Sequence, residues 1–550
     1  MASLTRNIRW WILPLLLAIV WRLIVLASAA VSFHSDEAIV GLMAEHINQG
    51  QPIPTFFYGQ PYMGSLDALL VSLAFRLLGE TVLAIRLVQF VLYVLLVTTT
   101  MWLALRISGK RRVALIAGLL IALPSTLVTL YTTISLGGYG EVLVIGNLVL
   151  LMGLQIESNL DGGLGLRPNK VNFWLWLVLG ALIGLGWWTH NLIIVYILPV
   201  ALVLIPTIWR STKRPWPVIR AAGLALVAFF IFSAPWWIYN LSRDWESVHF
   251  LLGSYLGPKP APGLTIGPVD KAIGLVAFGL PTIMGLRYPW TQNAWAGWLT
   301  VPIMIAVLAL LGSSIVREWR KPGIRLLAVM LLCFTAVFIL SSFGVDATGR
   351  YLLPLAAPMA MLAASSLLQV KRKGVGTGFA LSTIVPATLI VVMIAVNLLG
   401  TILAMRNVPP GLTPQFDAAT DFTNDFDQQA IAFLKAHGGQ YGYATYWAAY
   451  RLVFLSGETI IQSPKLPYKA NLLFTDADRY PAYTTFVEQA PRPVLVTANL
   501  PQLDSAIVQA LDSHHISYSR QAIGPYTIFY DLSEKVNPAA LGLQSLAIDP

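Results

Sequence analysis

Residues 10–38 read WWILPLLLAIVWRLIVLASAAVSFHSDEA. From Trp10 to Ser32 the run is nearly all apolar, and at 1.5 Å per residue it is long enough to cross a hydrocarbon layer of about 30 Å. Directly after it stands Phe33-His34-Ser35-Asp36-Glu37-Ala38. Two adjacent carboxylates at the exit of a span sit at the lipid–water boundary. Burying them is expensive unless a partner or a task retains them. An acidic pair placed there meets molecules with a lipid tail and a polar head.

The rest of the chain agrees with a membrane setting. Of its 550 residues 56% are hydrophobic and 11% charged, and the mean hydropathy is +0.68. A soluble domain of this size needs more surface charge, and a membrane barrel shows short alternating segments instead. The expectation is a polytopic α-helical membrane protein, with the first apolar segment retained because no small-residue cleavage site follows it. The single cysteine, Cys333, lies in an apolar run, which excludes a disulfide framework. The net charge of +10 divides unevenly: residues 1–406 carry 28 Lys+Arg and 13 Asp+Glu, residues 407–550 carry 8 and 13. The excess therefore marks the cytoplasmic face of the membrane part and not a nucleic-acid partner.

Basic clusters at Arg6/Arg9, Arg106–Arg112, Arg167/Lys170, Arg210–Arg220, Arg317–Arg325 and Lys371–Lys373 punctuate the apolar runs. With every cluster cytoplasmic, spans come in pairs between them, near 10–32, 86–106, 113–131, 141–157, 173–189, 191–209, 221–240, 294–315, 326–343, 351–370 and 378–403. About eleven transmembrane helices follow, with the N-terminus inside and the C-terminus outside. Residues 65–79 are short and carry Asp67 and Arg76, which suits an interfacial helix. Residues 271–288 are assigned to a re-entrant or surface helix, because a crossing there would move the Arg317–Arg325 cluster outside. Pro409-Pro410-Gly411 and Pro414 mark a linker. The chain divides into a membrane domain, 1–406, and a small extracytoplasmic α/β domain, 407–550. In the latter, helical stretches at 426–437 and 502–513 alternate with β-rich ones at 458–463, 493–498 and 525–531.

The outer loops hold the candidate chemistry. Asp36 and Glu37 cannot point the same way on one helix, so one faces a reaction and the other a supporting partner, or both cap the helix 38–47. Tyr58-Gly59-Gln60-Pro61-Tyr62-Met63-Gly64 suits a rigid turn against a sugar or headgroup, or plain interfacial anchoring. Ser135-Leu136-Gly137-Gly138-Tyr139-Gly140-Glu141 is an anion-holding turn or a tight turn with a capping acid. Arg350 opens a span against the cytoplasmic bias, as an anchor or as a clamp for phosphate. Arg22 lies deep in the first span and should face the bundle interior. His190 follows two tryptophans at an outer turn. With His34 and His249 it leaves a divalent metal open, although no ligand spacing supports one. The run from Tyr443 to Tyr450 is either the core of the terminal domain or a carbohydrate-stacking surface.

In order along the chain, these features resemble the GT-C superfamily of membrane glycosyltransferases. They are most similar to its protein O-mannosyltransferase and lipid A aminoarabinose transferase group. The similarity rests on Asp36-Glu37 after the first span, Ala38–Ala44 running into Gly50-Gln51-Pro52-Ile53-Pro54, and Tyr58–Gly64 before an amphipathic helix ending Leu77-Leu78-Gly79. It rests also on Ala84-Ile85-Arg86-Leu87 and Gly349-Arg350-Tyr351-Leu352-Leu353-Pro354-Leu355. The resemblance implies a polyprenyl-phosphate sugar donor, inverting transfer to a glycan, lipid or protein acceptor at the outer face of the cell membrane, and Asp36 at the catalytic position. Where relatives often carry Lys-Pro-Pro, this chain has Gln60-Pro61-Tyr62, which removes a cation from the loop. The competing classes are a lipid-linked glycan transporter or flippase, and a non-catalytic scaffold displaying the α/β domain. Little internal symmetry stands against the first.

Overall fold

The structure, a computed structural model, describes residues 2–161, 171–211, 215–255, 266–369, 376–408, 411–415 and 421–546. The basic clusters Arg167/Lys170 and Lys371–Lys373 and the Pro409-Pro410 pair lie outside the described residues. The chain opens with helix α1 (Ala2–Ala27), then α2 (Ser35–Asn48), α3 (Leu66–Leu78), α4 (Val82–Ser108), α5 (Arg111–Ala122), α6 (Thr126–Tyr131) and α7 (Tyr139–Asp161). Eight helical stretches among the described residues are long and apolar enough to cross a membrane, so this is a multi-pass membrane protein.

The eleven expected apolar segments are all helical, but not all as single continuous spans. The 173–189 segment is helical over Phe173–Thr189, shorter than any of the eight candidate spans. The 113–131 segment is broken between α5 and α6, where Leu123-Pro124-Ser125 interrupts the ladder. Proline lacks the N–H that a continuing helix needs, and Ser125 Oγ restarts α6 by accepting from the Val128 N–H at 3.5 Å. The 351–370 segment starts as the 3-10 turn Arg350–Leu355, which contains Pro354, before Ala356–Ser365 becomes α-helical. The segment expected at 221–240 begins earlier, as Pro215–Phe232, and restarts as Ala234–Ser242.

Packing follows the apolar stripes. In α1, Ala18, Trp21, Arg22 and Val25 are buried while Leu16, Val20, Leu23 and Ile24 stay exposed, the arrangement of a helix with one face on the bundle and one on lipid. In α3, Asp67, Val71 and Phe75 turn inward and Leu73, Leu77 and Leu78 outward, which matches an interfacial helix. The 271–288 region forms Pro268–Gly274, a π-helical segment at Leu275–Gly279 and Leu280–Ile283, and it is not among the eight candidate spans.

The terminal domain is a five-stranded sheet of order β2-β1-β3-β5-β4, built from β1 (Tyr441–Thr445), β2 (Ile461–Leu466), β3 (Val494–Ala498), β4 (Ser519–Ile523) and β5 (Tyr526–Tyr530). Strands β2, β1 and β3 run parallel and β5 and β4 antiparallel. The three expected β-rich stretches are β2, β3 and β5, and the expected helices are Asp427–Ala436 and Pro501–Ser513. Strands β1 and β4 were not legible. The first hides in an aromatic run, and the second is a polar edge strand with three exposed residues. A buried ion pair pins the entry segment to the sheet: Arg451 Nε donates to Asp427 Oδ2 at 2.8 Å, and the Tyr526 hydroxyl donates to Asp427 Oδ1 at 2.6 Å.

This domain docks on the first loop. The helix Tyr446–Leu455 lies along α2, so closely at Gly41 that a Cβ there would come within 2.5 Å of the Phe454 ring. Phe33 N–H donates to Asn424 Oδ1 at 2.7 Å, and Ser32 Oγ to Asp421 Oδ1 at 3.0 Å. At the far end of α2, the His46 ring nitrogens meet Tyr58 Oη at 2.8 Å and Glu458 Oε1 at 3.1 Å, and Tyr483 Oη donates to the same carboxylate at 2.7 Å.

Charge at this second junction makes stability depend on pH. The hydrogen bond from His46 is the main cause that holds Glu458 down at about 2, so its contribution is present above the usual 4.5 and fades as pH falls towards 2. Buried Glu45 is the opposite case. Burial first, then the charges of Glu80 and Glu458, push it up to about 8, so the folded chain holds that proton more tightly than the unfolded one. Stability is then lost as pH rises from about 4.5 to about 8. Glu45→Gln should stabilise the protein by about 2 kcal/mol at pH 8 and flatten that slope. Thermal unfolding followed across this range checks it, and an unchanged slope removes Glu45 from the account.

Candidate active site

His34 takes extended backbone angles and sets Ser35, Asp36 and Glu37 in the first turn of α2, where successive side chains diverge by about 100°. The divergence separates their environments. Ser35 Oγ donates to the Tyr446 carbonyl at 2.6 Å. Half-buried Asp36 accepts at Oδ1 from the Tyr446 hydroxyl. Glu37 is fully buried in a two-pronged pair with Arg86, Nε to Oε1 at 3.1 Å and Nη2 to Oε2 at 3.0 Å. Arg86 spends its other donors on the Val31 and Ser32 carbonyls, at 3.1 and 3.3 Å. Glu37 thus fastens the turn, and Asp36 is the carboxylate facing open chemistry.

The glycine-rich turn forms a second wall. Gly137 and Gly138 have φ of +82° and +94°, angles that side chains rarely adopt. Asp67 organises the turn by accepting from Ser135 Oγ at 2.5 Å, Gln89 Nε2 at 3.0 Å and the Gly137 N–H at 3.3 Å, with Glu141 buried beside it. Burial pushes the Asp67 carboxyl up on balance, against the hydrogen bonds from Ser135 and Gly137. The outcome is the placement of Tyr139, whose ring lies 5.2 Å from the Arg350 guanidinium and 4.4 Å from the His190 ring. His190 Nδ1 accepts from the Leu192 N–H at 3.0 Å, so Nε2 carries the proton. That N–H is buried with no hydrogen-bond partner among the described residues. Burial, then the Arg350 charge, drives His190 down to about 3, so the ring is neutral.

The first-loop turn joins these walls. Gly64 N–H donates to the Thr189 carbonyl at 2.9 Å, and a Cβ at Gly64 would stand 2.2 Å from the Trp188 carbonyl oxygen. The Tyr62 ring reaches to 6.3 Å from His190 and feels the charges of Arg350, Arg479 and Asp36. Burial pushes its hydroxyl up to about 12. The Gln60 amide, with its oxygen towards Arg479, accepts from Nη1 at 3.1 Å and Nη2 at 2.7 Å and donates to Tyr62 Oη at 3.1 Å.

Asp36, Gln60, Tyr62, Tyr139, His190 and Arg350 therefore converge. Four other sequence candidates lie apart from the cluster. Glu37 is in its ion pair, and Glu141 is behind the glycine turn with Asp67. Tyr58 stacks on Tyr480 at 4.8 Å and bonds His46. Arg22 is fully buried, donating to the Thr129 carbonyl at 2.8 Å and Thr132 Oγ1 at 2.6 Å, with Tyr93 4.1 Å below its guanidinium. Its donors tie α1 to the segment that carries Tyr131. Sequence reasoning missed Arg479 and left Tyr446 between the domain core and a carbohydrate-stacking surface. Both lie more than 400 positions from Asp36, in a domain whose docking leaves no local signal. His249 is exposed, and among the described residues no three His, Cys, Asp or Glu side chains form a group able to hold a metal ion.

No family model matches the chain. Its fold is similar to that of ArnT from Cupriavidus metallidurans. The structure of that protein bound to undecaprenyl phosphate gives a TM-score of 0.59 at 15% identity, covering 96% of this chain and 99% of that one. The apo structure gives 0.58 at 13% identity over both full chains. In sequence, the undecaprenyl phosphate-alpha-4-amino-4-deoxy-L-arabinose arabinosyl transferase of Erwinia tasmaniensis is 24% identical over 280 residues, half of this chain. The matched region spans 43% of that relative's length. With eight apolar helices long enough to cross a membrane among the described residues, a docked α/β domain and an acidic turn after its first helix, the chain has a membrane fold similar to that of ArnT and resembles the GT-C glycosyltransferases of the aminoarabinose transferase group.

Proposed function

We propose that this protein transfers a sugar from a polyprenyl-phosphate donor to an acceptor hydroxyl at the outer face of the cell membrane, with inversion at the anomeric carbon. The N-terminus is then cytoplasmic, residues 1–406 form the membrane domain, and residues 407–550 form an extracytoplasmic domain. The observation that carries the reading is that the half-buried carboxylate of Asp36 and the Arg350 guanidinium both act on Tyr62, with Tyr139 and His190 packed beside Arg350. Both similar structures and the sequence relative support it. Undecaprenyl phosphate is the ligand in one ArnT structure, and an undecaprenyl phosphate-linked sugar is the substrate named for the relative.

The chemistry balances with these groups. The acceptor oxygen attacks the anomeric carbon and forms the new glycosidic bond as the carbon–oxygen bond to phosphate breaks. Asp36 takes the hydroxyl proton, and the polyprenyl phosphate leaves with the bonding electron pair. Arg350 offsets the negative charge gathering on the leaving phosphate, where a guanidinium is suited to two-pronged contact. The neutral His190 Nε2–H supplies a further donor at the same end. Tyr62 and Gln60 set the position of the sugar, while Glu37, Glu141, Arg22 and Tyr58 hold the walls in place.

Asp36→Asn keeps the size of the side chain and removes the base, so transfer should fall at least about 100-fold while the thermal midpoint stays near wild type. Mass spectrometry of lipids and envelope glycans from cells carrying either form reads the product and identifies donor and acceptor together. Unchanged product would remove Asp36 from the chemistry. Glu37→Ala should behave differently, because it leaves Arg86 buried without its counter-ion. A loss of about 3 kcal/mol in stability is expected, read as a lowered midpoint.

A further inference from the structure

The terminal domain brings a cation of its own to this site. Arg479, half-buried in the loop before helix Pro481–Gln489, places its Cζ 5.7 Å from the centre of the Tyr446 ring. Its hydrogen-bond acceptors are all neutral: Tyr446 Oη at 3.5 Å from Nε, the Gly59 carbonyl at 3.3 Å from Nη1, and the Gln60 amide oxygen. Arg86, Arg325 and Arg451 each meet a carboxylate, Glu37, Glu157 and Asp427, whereas Arg22 and Arg287 share with Arg479 a set of neutral acceptors but lie away from Asp36 and Tyr62. Among the described residues neither Arg479 nor Arg350 forms an ion pair with a carboxylate. Tyr62 nevertheless feels the charge of both, together with that of Asp36. Two guanidiniums thus approach one tyrosine from opposite parts of the chain, one from the membrane domain and one from the sheet domain.

Withdrawing a cation from water is costly, and Arg479 offsets that cost through neutral acceptors and the charge of Asp36, to which the Tyr446 hydroxyl links it, so its guanidinium, like that of Arg350, has no direct carboxylate partner. The geometry points to Arg479 as a second anion ligand of the site, holding a phosphoryl group opposite Arg350. The terminal domain is therefore part of the binding site and not a detached appendage. This inference rests on the transferase reading above and deepens it. The phosphoryl group has two sources, the phosphate of the polyprenyl donor or one carried by the acceptor. The aromatic wall next to Arg479 suits a sugar lying against that phosphate, since Tyr446, Trp447 and Tyr468 pack with ring centres between 4.9 and 6.3 Å apart.

The test uses the purified full chain in lipid nanodiscs, with undecaprenyl phosphate and inorganic phosphate as probes. Wild type, Arg350→Gln, Arg479→Gln and Arg479→Lys are compared by tryptophan fluorescence titration and thermal protection. Arg479→Gln should weaken undecaprenyl phosphate binding about tenfold or more, with Arg479→Lys recovering part of it because charge returns without the planar fork. That result assigns Arg479 to the donor phosphate. Undecaprenyl phosphate binding weakened only by Arg350→Gln, with inorganic phosphate protection lost in Arg479→Gln, assigns Arg479 to a phosphoryl group on the acceptor. Wild-type response of Arg479→Gln to both probes overturns the inference. Arg479→Lys serves the same comparison if the glutamine variant has a lowered midpoint. Should wild type ignore undecaprenyl phosphate while its inorganic phosphate protection depends on Arg479, the anion site stands and the donor reading falls.

Discussion

The buried pair between Glu37 and Arg86 is the constraint on which the candidate site depends. It ties the first turn of α2 to α4, and its remaining donors hold the carbonyls of Val31 and Ser32 at the exit of α1. An ion pair shut away from water contributes little net stability, but removing one partner is severe. What it provides here is orientation. With Glu37 committed inward, helical geometry turns Asp36 towards Tyr446, and the pairing of two acids in sequence becomes a division of labour in space.

A second layer of order comes from contacts between segments that are far apart in the chain. The first-loop turn is stitched to the end of helix Phe173–Thr189 through Gly64 and Thr189, a place where only glycine fits against the Trp188 carbonyl. The glycine-rich turn wraps around Asp67, and the threonines of the α6 region receive Arg22. Each of these buried polar groups is expensive in an apolar bundle and is offset by several hydrogen bonds at once. Together they rigidify one end of the bundle, where Tyr62, Tyr139, His190 and Arg350 collect. Function and support are therefore difficult to separate by residue type alone. Glu141 and Arg22 have the charge expected of ligands, yet Glu141 lies buried beside Asp67 and Arg22 against the α6 threonines, apart from the other candidates.

The terminal domain changes how the site is understood. Its helix Tyr446–Leu455 packs on α2, and the same helix sends the Tyr446 hydroxyl to Asp36. The run from Tyr443 to Tyr450 is mostly buried and serves the domain core, the reading in which it packs within the domain. Tyr443 and Tyr450 lie in the domain core, whereas Tyr446 is buried yet touches the catalytic candidate. At the opposite end of α2, His46, Glu458 and the stacked Tyr58 and Tyr480 make a second fastening, so the domain is held at two points along one short helix.

Residue order alone determined the membrane class, the helical character of every long apolar segment, the interfacial helix after the first loop and the α/β nature of the terminal domain. These follow from hydropathy and short-range periodicity, which are local properties. It also singled out Asp36, Arg350, Tyr62, Tyr139 and His190, because polar residues at the edges of apolar spans stand out against their surroundings. Tertiary structure alone decided which of them meet. It split Asp36 from Glu37, placed Arg22, Tyr58 and Glu141 apart from the other candidates, and brought Tyr446 and Arg479 to Asp36 across more than 400 residues. A contact made by domain docking depends on the shape of two folded surfaces, and no window of sequence carries that information.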